Sequence, residues 1–304
     1  MFVGRQDVVE RYSNTAEGHK LFIDKVRSVG AKKVHVCLEY TGGYETAFAL
    51  ACKEAGFVVS IVDGAKIAYF RRSFSSTGAS TDKKSSYLLA RYCRERRPEE
   101  WFPIPDEFRK LRELVRHRER LIESKGQWAC RAAHAVEDEL VGSQRRAIIE
   151  VIRLQIEAID ERIQEHFQAH ANLAEAVRLL QTIPGIASTS ACRILGEMGP
   201  IENYPSAKAL ALAAGLVPIV IHSGQKVPPG KLPIYGNKEL RTSLFYPAMA
   251  CKRTGKGVGH FIERVGRADK LKITALVAGM RKLAHVVFGV LSSQSPFNPE
   301  LMSG

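Results

Sequence analysis

A strand–helix–strand pattern near the N-terminus constrains the fold of this chain most. Residues 33–39 (KVHVCLE) are rich in apolar and β-branched side chains, as in a strand, and a TGG turn follows them. Residues 44–56 (YETAFALACKEAG) have a helical pattern that ends in glycine, and 57–62 (FVVSIV) are typical of a second strand. The pattern predicts a βαβ unit, so the first domain is expected to be α/β.

The segments around this unit complete a first domain over residues 1–100. Residues 2–15 (FVGRQDVVERYSNT) are interpreted as a hairpin with GRQD as its turn, and 16–30 as an amphipathic helix that ends at glycine. Thr81 is a candidate cap for a helix over 82–96, which the following Arg-Pro step would end.

The middle of the chain, 101–175, is predicted to be a coiled-coil helical region. Gly126 and Gly142 are the main interruptions of its helical pattern. The apolar stripe of its second half has near-heptad spacing and comprises Ile148, Ile152, Ile156, Ile159, Ile163 and Phe167. We expect an antiparallel helical hairpin that turns near Val141, Gly142 and Ser143. The hairpin could pack within one chain or be extended by pairing with another chain.

The last region, 176–304, is predicted to be mostly helical. Its LxxIPGI motif at 180–186, followed by small polar residues and an apolar helix, resembles a helix-hairpin-helix. Gly185 would permit a tight turn while backbone amides of the second helix face a phosphate, and such motifs bind DNA without reading its sequence. The alternative is an ordinary packing corner between two helices. An apolar helix over 275–291 closes the region.

The charge of the chain favours a polyanionic partner. Lys and Arg number 45 against 32 Asp and Glu, a formal net charge of +13, so nucleic acid is the leading candidate. The basic residues assigned to phosphate contact, with solvated surface as the alternative, are Lys226, Lys231, Lys238, Arg241, Lys252, Arg253 and Lys256. Scattered cysteines and no signal-peptide or membrane-span pattern favour a reducing cytoplasm.

Two acidic residues are candidate ligands for a divalent metal. Glu39 comes at the carboxyl end of an apolar strand, where α/β sheets place functional groups, and a Gly-Gly step lets substrate approach. Asp82 lies in the first turn of a helix, where it could equally complement the helix dipole. Together they could share Mg²⁺, because hard cations take oxygen ligands.

Ser223 is the candidate nucleophile. It lies between His222 and Gly224 before a basic loop, and a neighbouring glycine gives room for a phosphodiester. The alternative is a serine that only forms a turn. The nine histidines show no HxxxH or HExxH spacing, so no zinc site is inferred.

Several separated motifs occur in one order that resembles the DEDD transposases of insertion sequences and their pilin-gene invertase relatives. The resemblance runs from Arg11 to about Leu291. Its motifs are RYSNTAEG, VHVCLEYTGGYETAFALACKEAGFVVSIVDGAKIAYF, GASTDKKSSYLLARY, LLQTIPGIASTSACRILGEMG, ALALAAGLVP and SGQKVPPGKLPIYGNKELR.

The resemblance implies a RuvC-like, RNase H-type N-terminal domain, a coiled-coil middle and a C-terminal domain with a helix-hairpin-helix and a catalytic serine. It also implies DNA recombination with Mg²⁺ or Mn²⁺, DNA ends and target as substrate, an element-encoded RNA, and a homodimer or homotetramer associated with the bacterial nucleoid. Glu39 matches the second acidic position of the family, Asp82 the third, and Ser223 the serine.

Two departures from the family pattern bear on activity. The fourth acidic position is Ser85 here, and the family's first strand with its acidic residue has no equivalent, since Asp7 falls in the expected hairpin turn. An unpaired sheet edge would result. A catalytically inactive DNA-binding remnant is therefore the alternative to an active transposase, and a Holliday-junction nuclease is a third possibility.

Overall fold

The structure, a computed structural model, describes residues 10–73, 82–134, 138–218, 236–268 and 272–302, and the side chains of 82, 83, 268, 301 and 302 are outside the description. The chain forms two compact units, Met1–Pro103 and Ile104–Gly304. The predicted division into three domains at 100 and 175 partitions the chain differently and stays a prediction. The described residues are mostly helical, with one small sheet.

Among the residues that the structure describes, the sheet of the first unit has two parallel strands, β1 (His35–Glu39) and β2 (Val58–Val62), joined by helix α2 (Thr46–Glu54). The register pairs Glu39 with Val62, so both strands end at the same edge. Val59 is fully buried, as expected for a β-branched residue beneath helices. The predicted βαβ unit is confirmed.

The described residues of the first unit contain three further helices: α1 (Ala16–Ser28), α3 (Gly64–Arg72) and α4 (Asp82–Arg96). The Thr15 side chain caps α1 by accepting from the amide of Gly18. The predicted hairpin over 2–15 lies largely outside the described residues, and residues 10–15 contain no strand. The core of the unit comprises Phe22, Val26, Val36, Ala49, Cys52, Phe57 and Val59.

The second unit begins with a helical hairpin of α5 (Asp106–Ala132) and α6 (Glu139–Ala169). The two helices are antiparallel, because contacts that move forward along α5 move backward along α6. These contacts are His166 Nε2 with the Glu107 carbonyl at 2.8 Å, Arg118 with Asp160 at 2.5 Å, and Arg145 with the Arg131 carbonyl at 2.7 Å. A hairpin formed within one chain is therefore present.

The predicted position of the hairpin turn, at 141–143, was wrong, because these residues lie inside α6. The Asp138 side chain caps α6 by accepting from the amide of Val141 at 3.1 Å. This cap starts the helix before Gly142, which the helix then tolerates. In the predicted stripe, Ile163 and Phe167 are buried. The four isoleucines nearer the start of α6 are half-buried, namely Ile148, Ile152, Ile156 and Ile159.

After this hairpin, the described residues of the second unit contain six more α-helices. They are α7 (Ala171–Gln181), α8 (Ser188–Met198), α9 (Ala207–Ala213), α10 (Lys238–Thr254), α11 (Gly259–Ala268) and α12 (Lys272–Ser293). Helix α12 contacts α7, α9, α10 and α11, so it forms the centre of this unit. The predicted closing helix is confirmed.

Helix α12 is also long and apolar enough to cross a membrane by length and composition. This is weak evidence for a membrane span, since a core helix passes the same test. Leu283 and Ala284 are fully buried, and Met280 and Val287 nearly so. The burial of α12 is that of a core helix.

Candidate functional site

The carboxyl edge of the small sheet carries two acidic residues. Glu39 ends β1, and Asp63 directly follows β2. Because the register pairs Glu39 with Val62, the two acidic residues emerge at the same edge. The Glu39 carboxylate lies against Gly64, so closely that a Cβ at position 64 would collide with it. The structure thus places Glu39 where the sequence predicted it and adds Asp63 beside it.

The carboxylates of Asp63 and Glu45 both have hydrogen-bonding roles. Asp63 caps α3 by accepting from the amide of Ala65 at 2.7 Å. Glu45 Oε2 accepts from the Thr41 hydroxyl at 2.7 Å, the Thr41 amide at 3.1 Å and the Gly43 amide at 3.0 Å. Burial alone would raise the pKa of Glu45, but these hydrogen bonds outweigh it and lower the pKa. Glu45 therefore holds the glycine loop after β1.

Asp82 begins α4, and its side chain lies outside the description. Helix α4 packs on β1, where the Cys93 thiol donates to the His35 carbonyl at 3.9 Å. Among the side chains that the structure describes, no three His, Cys, Asp or Glu residues come together as a metal-binding group.

A cavity of about 1260 Å³ lies beside β1 in the first unit, lined also by α1 and α4. Within the described residues β1 pairs with β2 alone, so its other edge faces this cavity and α4. Cys37 and Cys93 both line it, and a hydrogen bond between the two thiols raises the pKa of Cys37. This thiol is therefore a poor nucleophile at neutral pH.

Ser223, Lys226 and Lys231 lie outside the described residues. The residues that flank the segment 219–235 on its two sides lie in contact with each other. A Cβ on Gly236 would lie 2.7 Å from the Gly215 amide nitrogen, so glycine is required for this approach.

Two hydrogen bonds close the same junction. The Asn237 amide donates to the Ala213 carbonyl at 2.6 Å, and Arg241 donates to the Gly215 carbonyl at 3.4 Å. The guanidinium of Arg241, a predicted phosphate contact, is thus engaged with backbone carbonyls at this junction.

Gly185, the predicted helix-hairpin-helix glycine, lies in the turn between α7 and α8 with φ of +88°. A Cβ there would lie 2.7 Å from both Cys251 Sγ and the Pro247 carbonyl of α10. Cys251 Sγ also donates to the Pro184 carbonyl at 2.9 Å. The turn therefore packs against α10 on one side, while Gly185 is exposed on the other.

The described basic residues that the sequence assigned to phosphate contact fall into two groups. Lys238 and Arg241 lie at the start of α10, whereas Lys252 and Arg253 lie at its end. The two groups are about 20 Å apart along the helix axis, at about 1.5 Å per residue. The first group adjoins the Gly215–Gly236 junction and the second adjoins the Gly185 turn.

Sequence reasoning gave too little weight to several residues that organise this region. Asp63 follows an apolar strand just as Glu39 does, and this signal was available in the sequence. Asn237 precedes a helix as a typical cap, and its side chain accepts from the amides of Glu239 and Leu240. Glu197, with a side chain only 3% exposed, gave no local signal for its ion pair with Arg116.

Comparisons with known proteins identify the class of protein that this fold and these candidate residues define. Residues 4–138 match the DEDD-type transposase domain of IS110 elements. Residues 177–262 match a domain described as transposase, IS116/IS110/IS902 family. The chain is therefore a transposase.

These two matches, which together span most of the chain, place it in the IS110/IS116 family, whose members rearrange DNA. It is 29% identical to the pilin gene-inverting protein of Moraxella bovis over 275 residues, covering 88% of this chain and 83% of the relative. The pilin gene-inverting protein of Moraxella lacunata matches to the same extent. An insertion element IS110 protein of Streptomyces coelicolor is 26% identical over 126 residues, covering 41% of this chain and 31% of that protein.

Proposed function

We propose that this chain is a DNA recombinase that cleaves and exchanges strands at the ends of its element, with Ser223 as nucleophile and a divalent metal as cofactor. The observation that carries the proposal is the joint match to both transposase domains, which include Glu39, Asp82 and Ser223. The first unit would be an RNase H-like, RuvC-like domain, and the βαβ unit with its acidic carboxyl edge supports this.

Glu39 and Asp82 would hold Mg²⁺ or Mn²⁺. The donor set fits such an ion, because carboxylate oxygens are the ligands that hard cations take. Cys93 of α4 meets β1 at His35. From these contact points Asp82 lies about 16 Å along the helix and Glu39 about 13 Å along the strand. These lengths are similar, so an antiparallel arrangement of α4 and β1 would bring both acids to one end.

Ser223 would form the covalent link to DNA. Its Oγ bonds to phosphorus and loses its proton, the bridging P–O bond breaks, and the released strand end takes up a proton as a hydroxyl group. Glu39 and Asp82 would hold the divalent ion beside the scissile phosphate. When bound, Mg²⁺ neutralises charge that develops on the phosphate oxygens. Reversal of the link by a different strand end completes the exchange.

The partners are DNA ends, target DNA, an element-encoded RNA and further copies of this chain in a dimer or tetramer. Gly185 of a helix-hairpin-helix and a set of basic residues would contact the DNA backbone. That set is Lys226, Lys231, Lys238, Arg241, Lys252 and Arg253. The hairpin of α5 and α6 would act as a coiled coil between copies, through its half-buried isoleucines. We place the protein in the bacterial cytoplasm at the nucleoid.

A second candidate function is a catalytically inactive protein that only occupies element ends. Ser85, one helical turn after Asp82 in α4, favours it, since the family pattern has an acidic residue there. This protein would bind DNA regardless of Mg²⁺ and of Ser223.

Cleavage of labelled element-junction DNA, with the element RNA, tests the proposal. Wild type with Mg²⁺ is expected to yield a cleaved product, Glu39→Gln is expected to yield none while retaining DNA, and Glu54→Gln, an exposed acid on α2, serves as the matched control. DNA binding without metal-dependent cleavage by wild type would favour the inactive protein. Failure of wild type to retain either DNA or RNA at low salt would contradict both candidates.

A further inference from the structure

The turn between α10 and α11 repeats the pattern of the Gly185 turn. The chain reads GIAS at the first turn and GVGH at the second. Each begins with a left-handed glycine, Gly185 with φ of +88° and Gly257 with φ of +55°. Each glycine precedes a buried apolar residue, Ile186 or Val258, and the next helix starts within two residues of it, at Ser188 or at Gly259. The second unit therefore contains two helix–turn–helix elements of the same design.

The two turns pack directly on each other. A Cβ on Gly257 would lie 3.2 Å from Pro184 Cβ and 3.4 Å from Cys251 Sγ. Cys251 Sγ donates to the Pro184 carbonyl at 2.9 Å, so α10 bonds to the first turn just before the second begins. Residues 182–188 and 255–260 thus form one continuous surface, called here the paired-turn surface.

The second turn carries a concentrated positive charge. Residues 252–267 contain five Lys or Arg against one acidic residue, Glu263. Arg253 and Lys256 are exposed and Lys252 is half-buried. None of these three forms an ion pair with another residue in the described ranges, so their charge is available to a ligand. The first turn presents small exposed residues, including Ser188 and Thr189.

We propose that the paired-turn surface binds the sugar–phosphate backbone of duplex DNA, with the second turn supplying the cations and the first turn the close approach. Small residues beside exposed cations suit a backbone contact that reads no base. The family match over 177–262 spans both turns. The proposal rests on the proposed function but adds a second DNA-binding turn, about 20 Å along α10 from the junction that carries the serine segment.

A charge-neutral triple variant, Lys252→Gln with Arg253→Gln and Lys256→Gln, tests the cationic side. We expect weaker binding to random-sequence duplex DNA. The slope of the logarithm of the binding constant against the logarithm of the salt concentration should become shallower by about 0.9 for each phosphate contact removed. The matched control removes three exposed cations of the first unit by Lys20→Gln, Lys32→Gln and Lys33→Gln. Equal slopes for the two triple variants, both folded by circular dichroism, would overturn the proposal.

A double-mutant cycle tests whether both turns face one duplex. Thr189→Glu places a negative charge on the first turn, and Lys256→Gln removes a positive charge from the second. We expect the fold-loss of DNA affinity in the double variant to differ from the product of the fold-losses in the two single variants. A double-variant loss equal to that product would contradict a joint surface. If these variants lost binding to structured RNA but kept wild-type binding to duplex DNA, the choice of DNA as the ligand would be overturned. A wild-type protein that binds neither would instead refute the proposed function itself.

Discussion

At the scale of single residues, the backbone φ of a glycine and the atoms around it determine whether a larger residue can replace it. Gly185 combines a left-handed φ of +88° with neighbours 2.7 Å from the position of an added Cβ. Gly126, within α5, has open space around it. A methyl group is thus excluded at the first and accommodated at the second.

We expect Gly185→Ala to lower the free energy of unfolding of the second unit by about 1–3 kcal/mol, through backbone strain and displacement of Cys251. Gly126→Ala should raise it by about 0.5–1 kcal/mol, because alanine loses less conformational entropy in a helix. Urea denaturation followed by circular dichroism measures both. Equal effects of the two substitutions would contradict the packing described for Gly185.

His285 couples the stability of the second unit to pH. Burial lowers the pKa of His285, and the charges of Arg281, Lys282 and Lys208 lower it further. Its Nε2 is buried and has no hydrogen-bond partner among the described residues. The fold therefore favours the neutral ring.

Unfolding returns His285 to its ordinary pKa of about 6.5. The unfolded chain then binds the proton at a higher pH than the folded chain does. Stability from this group is full above about pH 6.5 and is lost as the pH falls below it. The difference between the urea midpoints at pH 7.5 and pH 5.0 should be smaller in His285→Leu than in wild type. The control His117→Gln, at an exposed residue, should keep the wild-type difference. An unchanged difference in His285→Leu would refute this role.

At the scale of elements, an ion pair with a buried carboxylate joins the helical hairpin to the helix after the Gly185 turn. Arg116 of α5 donates to both carboxylate oxygens of Glu197 in α8, at 2.6 and 2.8 Å. Arg112 of the same helix donates to the Gly196 carbonyl at 2.7 Å. The Asn237 side chain donates to the Glu197 carbonyl at 3.3 Å, so α10 joins the same contact.

Glu197→Ala should destabilise the second unit by about 2–4 kcal/mol, because it leaves Arg116 without the carboxylate that neutralises it. The partial exposure of Arg116 places the cost in the lower part of the range for buried pairs. Glu175→Ala, which breaks the exposed pair with Arg178, should cost less than about 1 kcal/mol. Thermal unfolding of both variants checks this, and a similar cost for the two would be inconsistent with it.

Local sequence patterns predicted most elements but not the contacts between them. The βαβ unit and the closing helix follow from periodicity and turn residues, which act over a few positions. The hairpin turn was misplaced because the Asp138 cap outweighs the helix-breaking tendency of Gly142. The pairing of Glu197 with Arg116, far apart in the sequence, depends on how α5 and α8 pack, which no local pattern encodes.

At the scale of the whole molecule, α10 separates two parts of the proposed machinery. Its start adjoins the Gly215–Gly236 junction, from which the chain segment with Ser223 leaves and to which it returns. Its end adjoins the paired-turn surface. The excess of positive charge over the chain, +13, suits a protein that holds a polyanion.

The candidate site was predictable from the sequence to different degrees. Glu39 was found because it ends an apolar strand, and the structure places it at the sheet edge. Asp63 also follows an apolar strand, and the parallel register places it at the same edge as Glu39. The division of the basic residues into two groups depends on the length of α10, which the sequence reasoning did not consider. Asp82 and Ser223 stay predictions.

Trapping of a covalent protein–DNA adduct tests the serine mechanism most directly. Labelled element-junction DNA, the element RNA and Mg²⁺ are incubated with wild type, with Ser223→Ala and with Ser292→Ala, an exposed serine in the last turn of α12, and then separated under denaturing conditions. A shifted adduct is expected with wild type and Ser292→Ala and not with Ser223→Ala. An adduct that persists in Ser223→Ala, or DNA binding without any adduct in wild type, would contradict the assignment of Ser223 as nucleophile.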